Sequence, residues 1–243
     1  MRQLMNISLA LLVLSFAACK KADVGAPVPV LPKVKSFTIM DGAAIINSAT
    51  IEYDNLGRRS KQTFKDDSRF DFTYTGNTML QEQFNSSGAT QSKYNYILNA
   101  EGLAESYYNL ATPKVIYYQT FNSAKQMVLE ITKNIGVKTF EVYHFYDNTG
   151  NNIKDSVLQV NGTTIRTYEY YTDKISTITN SNYGTKYDGV SSKNYLKKVT
   201  VKSPLNVITI TDYSVPELDA KGRVIKQSYT SGGKTFDYLY SYY

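Results

Sequence analysis

The chain reads as an all-β protein built of antiparallel hairpins, and three observations carry that reading. Aromatic and β-branched residues alternate with polar ones at period two, as in Phe70, Phe72 and Tyr74, in Tyr168 and Tyr170, and in Phe236, Tyr238, Tyr240 and Tyr242. This is the pattern of strands with one dry face and one wet face. Turn residues punctuate the alternation at Thr75-Gly76-Asn77, Ser87-Gly88, Asn161-Gly162 and Ser231-Gly232-Gly233. Asn161-Gly162 is the strongest of these signals, because both residues tolerate the positive φ of a type I′ hairpin turn. No segment combines helical periodicity with helix caps.

Taken in chain order, the first element is a leader. Arg2 makes its start positive, and Ile7–Ala18 is an almost wholly apolar run of 12 residues ending in small side chains, as in an export signal. As a helix it would span about 18 Å, too short for a bilayer core of about 30 Å. Residues 1–18 are therefore expected to be removed. Cys19, the sole cysteine, follows Ala17-Ala18 and precedes Lys20-Lys21. That arrangement resembles a bacterial lipobox, with Phe16 where leucine is usual, and marks Cys19 as the acyl attachment site. Two or more acyl chains anchor a protein stably without a membrane span. One cysteine also excludes intrachain disulfides.

Residues 19–34 form the expected tether, with Pro27, Pro29 and Pro32 close together in a run that favours extended polyproline II. Loss of Arg2 leaves 26 basic and 21 acidic residues, a mature charge of +5. The lysines are scattered, which argues against nucleic-acid binding. The expected address is the cell envelope, at the outer membrane, with the periplasmic and surface orientations both open.

Residues 35–243 form the expected β-hairpin repeat domain. A short pattern recurs within it: Tyr53-Asp54-Asn55-Leu56-Gly57, Leu98-Asn99-Ala100-Glu101-Gly102, Phe121-Asn122-Ser123-Ala124-Lys125, Tyr146-Asp147-Asn148-Thr149-Gly150 and Leu218-Asp219-Ala220-Lys221-Gly222. The starts lie 45, 23, 25 and 72 residues apart, multiples of a unit of about 24 residues. In each copy the Asp or Asn is expected to cap its own turn while glycine takes the left-handed conformation. The turn residues so assigned are Asp54, Gly57, Asn99, Gly102, Asp147, Gly150, Asp219 and Gly222, and Lys125 in the glycine position predicts a strained or altered turn. Residues 180–206, rich in Asn, Ser, Gly and Lys, break the rhythm and predict a long loop or irregular hairpin.

Two copies continue into arginine, Tyr53–Arg58 and Leu218–Arg223, and resemble the YD repeat of Rhs-type proteins. The whole is also similar to Gram-negative lipoproteins built from such hairpins. The resemblance implies an extended, twisted antiparallel sheet, in some members enclosing a cavity. The aromatic C-terminus is a feature of outer-membrane barrels, but the lipobox, the tether and insufficiently apolar strand faces argue against one.

The chemistry expected is that of a non-enzyme. His144 is the sole histidine, no G-x-S-x-G elbow exists, and no zinc set can form without further thiolates or histidines. Gly233-Lys234-Thr235 lacks the leading glycine of a phosphate loop, since position 228 is Ser228, and it joins strands. The turn aspartates lack the ligand series of an EF-hand. No cofactor, metal or catalytic residue is assigned. The 22 tyrosines suit half-wet strand faces and binding surfaces. Tyr238, Tyr240 and Tyr242 share one face and form the candidate aromatic binding surface. The expected function is structural or ligand-binding, for a glycan, a peptide or an envelope protein. A carrier of a lipid or hydrophobic ligand in a curved sheet is the alternative, and a carbohydrate-active enzyme with two facing carboxylates a third.

Overall fold

The computed structural model describes residues 32–243. The expected signal peptide, Cys19 and nearly all of the tether lie outside the described residues. The strands are β1 (Val34–Asp41), β2 (Ala44–Tyr53), β3 (Arg59–Phe64), β4 (Arg69–Thr75), β5 (Thr78–Phe84), β6 (Thr90–Leu98), β7 (Ala104–Asn109), β8 (Val115–Phe121), β9 (Met127–Asn134), β10 (Val137–Tyr146), β11 (Asn152–Gln159), β12 (Gly162–Ile175), β13 (Asn194–Lys202), β14 (Ile208–Tyr213), β15 (Glu217–Leu218), β16 (Val224–Ser231) and β17 (Lys234–Tyr242). Each pairs antiparallel with its sequence neighbour, save that β14 pairs directly with β16 and the two-residue β15 adds to one end of β16.

The sheet closes. β17 pairs with β1 in a register that runs from Val34 opposite Tyr242 to Asp41 opposite Phe236, and Ser36 and Ser241 share a 2.6 Å hydrogen bond between their hydroxyls. The result is a sixteen-strand up-and-down barrel. This corrects the expectation of an extended, twisted sheet and the YD-repeat resemblance that implied it, and decides for closure. Closure pairs both edge strands and so removes the exposed edges that an open sheet must cover.

The register assigns the faces. Phe70, Phe72 and Tyr74 lie opposite Gln83, Gln81 and Met79, which in turn lie opposite Ser92, Tyr94 and Tyr96, and all point into the barrel. Phe72, Met79 and Ala104 are buried there against Tyr187. The outer wall is polar on the same strands. Lys61, Asp71, Glu82 and Lys93 lie side by side across β3–β6, and ion pairs join Lys93 to Glu82 and Lys226 to Asp237.

An even number of strands gives two rims. At the near rim β1 begins and β17 ends. Turns 54–58, 76–77, 99–103, 122–126 and 147–151, loop 176–193 and connection 214–223 lie there. The far rim holds turns 42–43, 65–68, 85–89, 110–114, 135–136, 160–161, 203–207 and 232–233. The 24-residue unit is thus one up-and-down strand pair, and all five pattern copies fall on the near rim.

Candidate functional site

The near-rim turns are built by their first side chain. Asp54 Oδ1 accepts the backbone N–H of Leu56 and of Arg58, at 3.0 and 2.9 Å. Asn99 does the same for Glu101 and Leu103, Asp147 for Thr149 and Asn151, and Asp219 for Lys221 and Arg223. Gly57, Gly102, Gly150 and Gly222 all have φ between 71° and 94°. Lys125 takes the same left-handed conformation at φ 62°, so its turn keeps the shape and carries the strain a Cβ imposes there. In the two arginine-bearing copies the guanidinium closes the turn: Arg58 Nε reaches Asp54 Oδ2 at 2.7 Å and Arg223 Nε reaches Asp219 Oδ2 at 2.6 Å. Against the opposing effect of burial, the backbone N–H of the arginine and then its guanidinium hold both carboxyls below the ordinary aspartate range.

The long loop 176–193 turns into the barrel and plugs this rim. On one side Asn182 O accepts from Val34 N and Tyr53 OH, and Gly184 O accepts from Arg59 N at 3.1 Å. On the other, Val190 N donates to Lys125 O at 2.8 Å. Between these moorings Tyr187 packs its ring 5.7 Å from that of Tyr96. The fit is tight at two glycines. A Cβ on Gly184 would lie 2.5 Å from the Arg59 backbone nitrogen, and one on Gly189 would lie 2.5 Å from the Lys125 carbonyl oxygen. Burial pushes the Asp188 carboxyl up to about 6, although the Arg59 charge and a Thr185 hydrogen bond oppose it.

Beside the plug lies a cavity of about 370 Å³, within the range of small-molecule sites. Its walls are Tyr168, Tyr170, Tyr195 and Tyr240, the amides of Asn152, Asn194 and Gln227, and the serines Ser176, Ser191 and Ser192, with Ile178 and Leu196. Among the described residues no charged side chain lines it. Tyr170 OH lies 2.7 Å from Asn152 O and 3.0 Å from Ser192 Oγ, so strand β12 and the plug are joined at the cavity wall.

One strand pair away, His144 bridges two carboxylates inside the barrel. Its Nδ1 is 2.7 Å from Asp155 Oδ1 and its Nε2 is 3.0 Å from Glu130 Oε1. Asn152 and Tyr168 donate to the Asp155 carboxylate as well. Burial opposes the charged imidazole, but the two carboxylates outweigh it and raise its pKa to about 9. An imidazolium clamped on both nitrogens is not positioned as a free base, and both acids are committed to it.

Tyr238, Tyr240 and Tyr242 all point into the barrel, opposite Ile39, Phe37 and Val34. Tyr240 lines the cavity, Tyr238 stacks with Tyr240 and packs at a tilt against Tyr229, and Tyr242 donates to Val224 O near the rim. They form part of the lumen wall. Cys19 lies outside the described residues. Sequence reasoning missed the plug as a lumen element, the partners of His144, and Tyr170, Tyr195 and Gln227. A signal for the plug existed: eighteen residues without a hairpin, in a chain whose other connections are short. At Asn161-Gly162 the type I′ expectation fails. Gln159 pairs with Gly162, so the turn residues are Val160 and Asn161, and only Gly162 has positive φ. Two positive φ angles occur instead at Ile135-Gly136 and Gly232-Gly233.

A meander barrel with an aromatic lumen, plugged at one rim by an inserted loop, is the class that fold and site define. Among solved structures the chain is similar to a porin-like protein from Bacteroides uniformis, with TM-score 0.63 and 15% identity over 86% of this chain and 98% of that one. It is also similar to a porin-like protein from Bacteroides vulgatus, with TM-score 0.51 and 10% identity over 87% and 99%. No family model matches the sequence, and no curated protein matches it. At these identities the likeness concerns the fold.

Proposed function

We propose that the protein is a non-catalytic component of the bacterial cell envelope, held by acyl chains on Cys19, whose barrel stands in water and binds a small uncharged glycan in the cavity beside the plug. The observation that carries this reading is the polarity of the wall. A membrane-spanning barrel faces lipid with an apolar band and lines its lumen with polar groups. Here Phe72, Met79, Tyr96 and Tyr240 line the inside, while a row of four charged residues crosses the outside of β3–β6. The porin-like neighbours support an envelope setting, and the plugged, aromatic lumen argues against an open channel.

The ligand class follows from the cavity chemistry. Tyrosine rings offer faces on which a sugar ring can rest, and the amides and hydroxyls offer directional partners without charge. A lipid carrier would need a continuous apolar concavity, whereas Gln62, Gln81, Gln83, Glu130 and Asp155 interrupt the lumen and the plug closes its near rim. A glycosidase would need two free carboxylates, and Glu130 and Asp155 both serve His144.

The test uses the full chain with Cys19→Ala, purified without detergent and titrated calorimetrically with neutral mono- and disaccharides. Binding weakened about tenfold or more by Gln227→Ala or Tyr170→Phe is expected, at roughly 1.4 kcal/mol per tenfold. Stepwise conductance in planar bilayers would overturn the reading. In cells, Cys19→Ala is expected to abolish fatty-acid labelling and release the protein, and protease shaving then decides between the periplasmic face and the surface.

A further inference from the structure

The far rim carries a surface that neither the plug nor the cavity explains. Three neighbouring hairpins there each hold an aliphatic side chain at the tip, and these are the most exposed large apolar side chains among the described residues: Ile135 at 72%, Val160 at 92% and Leu205 at 85%. The β11–β12 and β13–β14 tips are adjacent, since a Cβ on Gly162 would lie 2.9 Å from Pro204 Cβ. The β9–β10 tip is joined to them through the pairing of Phe140 with Gln159. Val137, Val207 and Ile208 extend the same apolar edge.

Two features separate this edge from incidental exposure. Ile135 sits at φ 49°, a left-handed conformation that β-branched residues strongly disfavour and that glycine or asparagine would take at ease. Local folding does not call for isoleucine there. The charge is also uneven. Lys114, Lys133 and Lys202 flank the tips and Lys138 holds Glu141 at 2.7 Å, whereas the far-rim aspartates Asp41, Asp66 and Asp67 lie across the barrel on the β1–β4 arc, accompanied there by Lys65. Aliphatic tips set among lysines match an anionic bilayer surface, in which apolar groups enter the headgroup–acyl boundary and cations meet acidic headgroups. A protein partner would favour a surface core from which lysine is depleted.

We propose that the far rim on the β9–β14 arc docks onto anionic lipid bilayers through Ile135, Val160 and Leu205. Flotation of the full chain carrying Cys19→Ala, free of acyl groups, tests this with phosphatidylcholine vesicles made with and without phosphatidylglycerol. Binding to the anionic vesicles that weakens with salt is expected. The combined variant Ile135→Asn, Val160→Ser, Leu205→Ser should lower it about tenfold or more with an unchanged circular dichroism spectrum. Lys133→Gln with Lys202→Gln should remove the preference for phosphatidylglycerol. Equal binding to both vesicles, no binding, or unchanged binding by the tip variant would overturn the proposal. So would a concentration-dependent dimer that the tip variant dissolves, which would assign the rim to a second copy. Sugar titration of the same variants reads the cavity separately.

Discussion

The two rims of this barrel are made from the same hairpins and solve opposite problems. At the near rim the chain folds inward. Asx-capped turns, two arginine clamps and the plug loop satisfy their polar groups against one another, and tyrosine rings fill the space beneath. At the far rim the three hairpin tips on the β9–β14 arc direct apolar side chains outward instead. One motif makes the contrast plain, because Phe84-Asn85-Ser86-Ser87-Gly88 repeats the near-rim pattern on the far rim. Asn85 Oδ1 accepts from Ser87 N and Ala89 N just as Asp54 does from Leu56 and Arg58. The turn chemistry therefore does not select a rim; strand parity does. What distinguishes the near rim is the material that packs on its turns.

The largest expected effect breaks the near rim alone. Gly184→Ala combines a left-handed backbone with a Cβ placed 2.5 Å from the Arg59 nitrogen, and should cost about 4 kcal/mol. Gly232→Ala on the far rim meets nothing within 4 Å and should cost only about 1–2 kcal/mol. Thermal melts compare the two, and limited proteolysis within residues 176–193 should report plug release only in the first.

The next effect is one of pH. The His144 pKa rises on folding from 6.5 to about 9, so its stabilising charge is fully present below 6.5 and is lost as pH climbs through 9. About 2 kcal/mol should vanish across that window after allowance for solvent screening, and His144→Gln should flatten the profile. Asp188 acts at lower pH with the same sign. Its raised pKa means that stability falls as pH rises from its ordinary value towards about 6, and Asp188→Asn should stabilise the plug at pH 7.

A smaller pair sharpens the comparison of turns. Asp54→Ala loses two backbone caps and the Arg58 clamp, at about 2 kcal/mol, whereas Asn85→Ala loses caps without a clamp, at about 1 kcal/mol. Urea denaturation midpoints would order them. The smallest effect has the opposite sign: Ile135→Asn should stabilise the fold by about 1 kcal/mol through relief of left-handed strain, while weakening vesicle binding. A loss of stability there would mean that Ile135 serves the fold.

Much of this was legible in the residues. Phe236, Tyr238, Tyr240 and Tyr242 announce a two-faced strand, and Asp54, Asn99, Asp147 and Asp219 announce their turns, because such preferences reside in a few adjacent residues. The candidate site was less legible. Tyr240 could be placed on a face, but its cavity neighbours Tyr170, Tyr195 and Gln227 come from other strands. His144 gains its charge from Glu130 and Asp155, 14 and 11 residues away, through a register that no local pattern states.

By itself the sequence determined the hairpins, the Asx turns and the length of the repeat, since each depends on side chains close along the chain. Only the tertiary structure decided that β1 meets β17, that the aromatic face is the inside, and that the irregular stretch around Tyr187 is a plug. Closure joins ends about 200 residues apart, and neither end differs locally from any other strand. Its outcome depends on the summed twist and register of sixteen strands, a property no single segment carries.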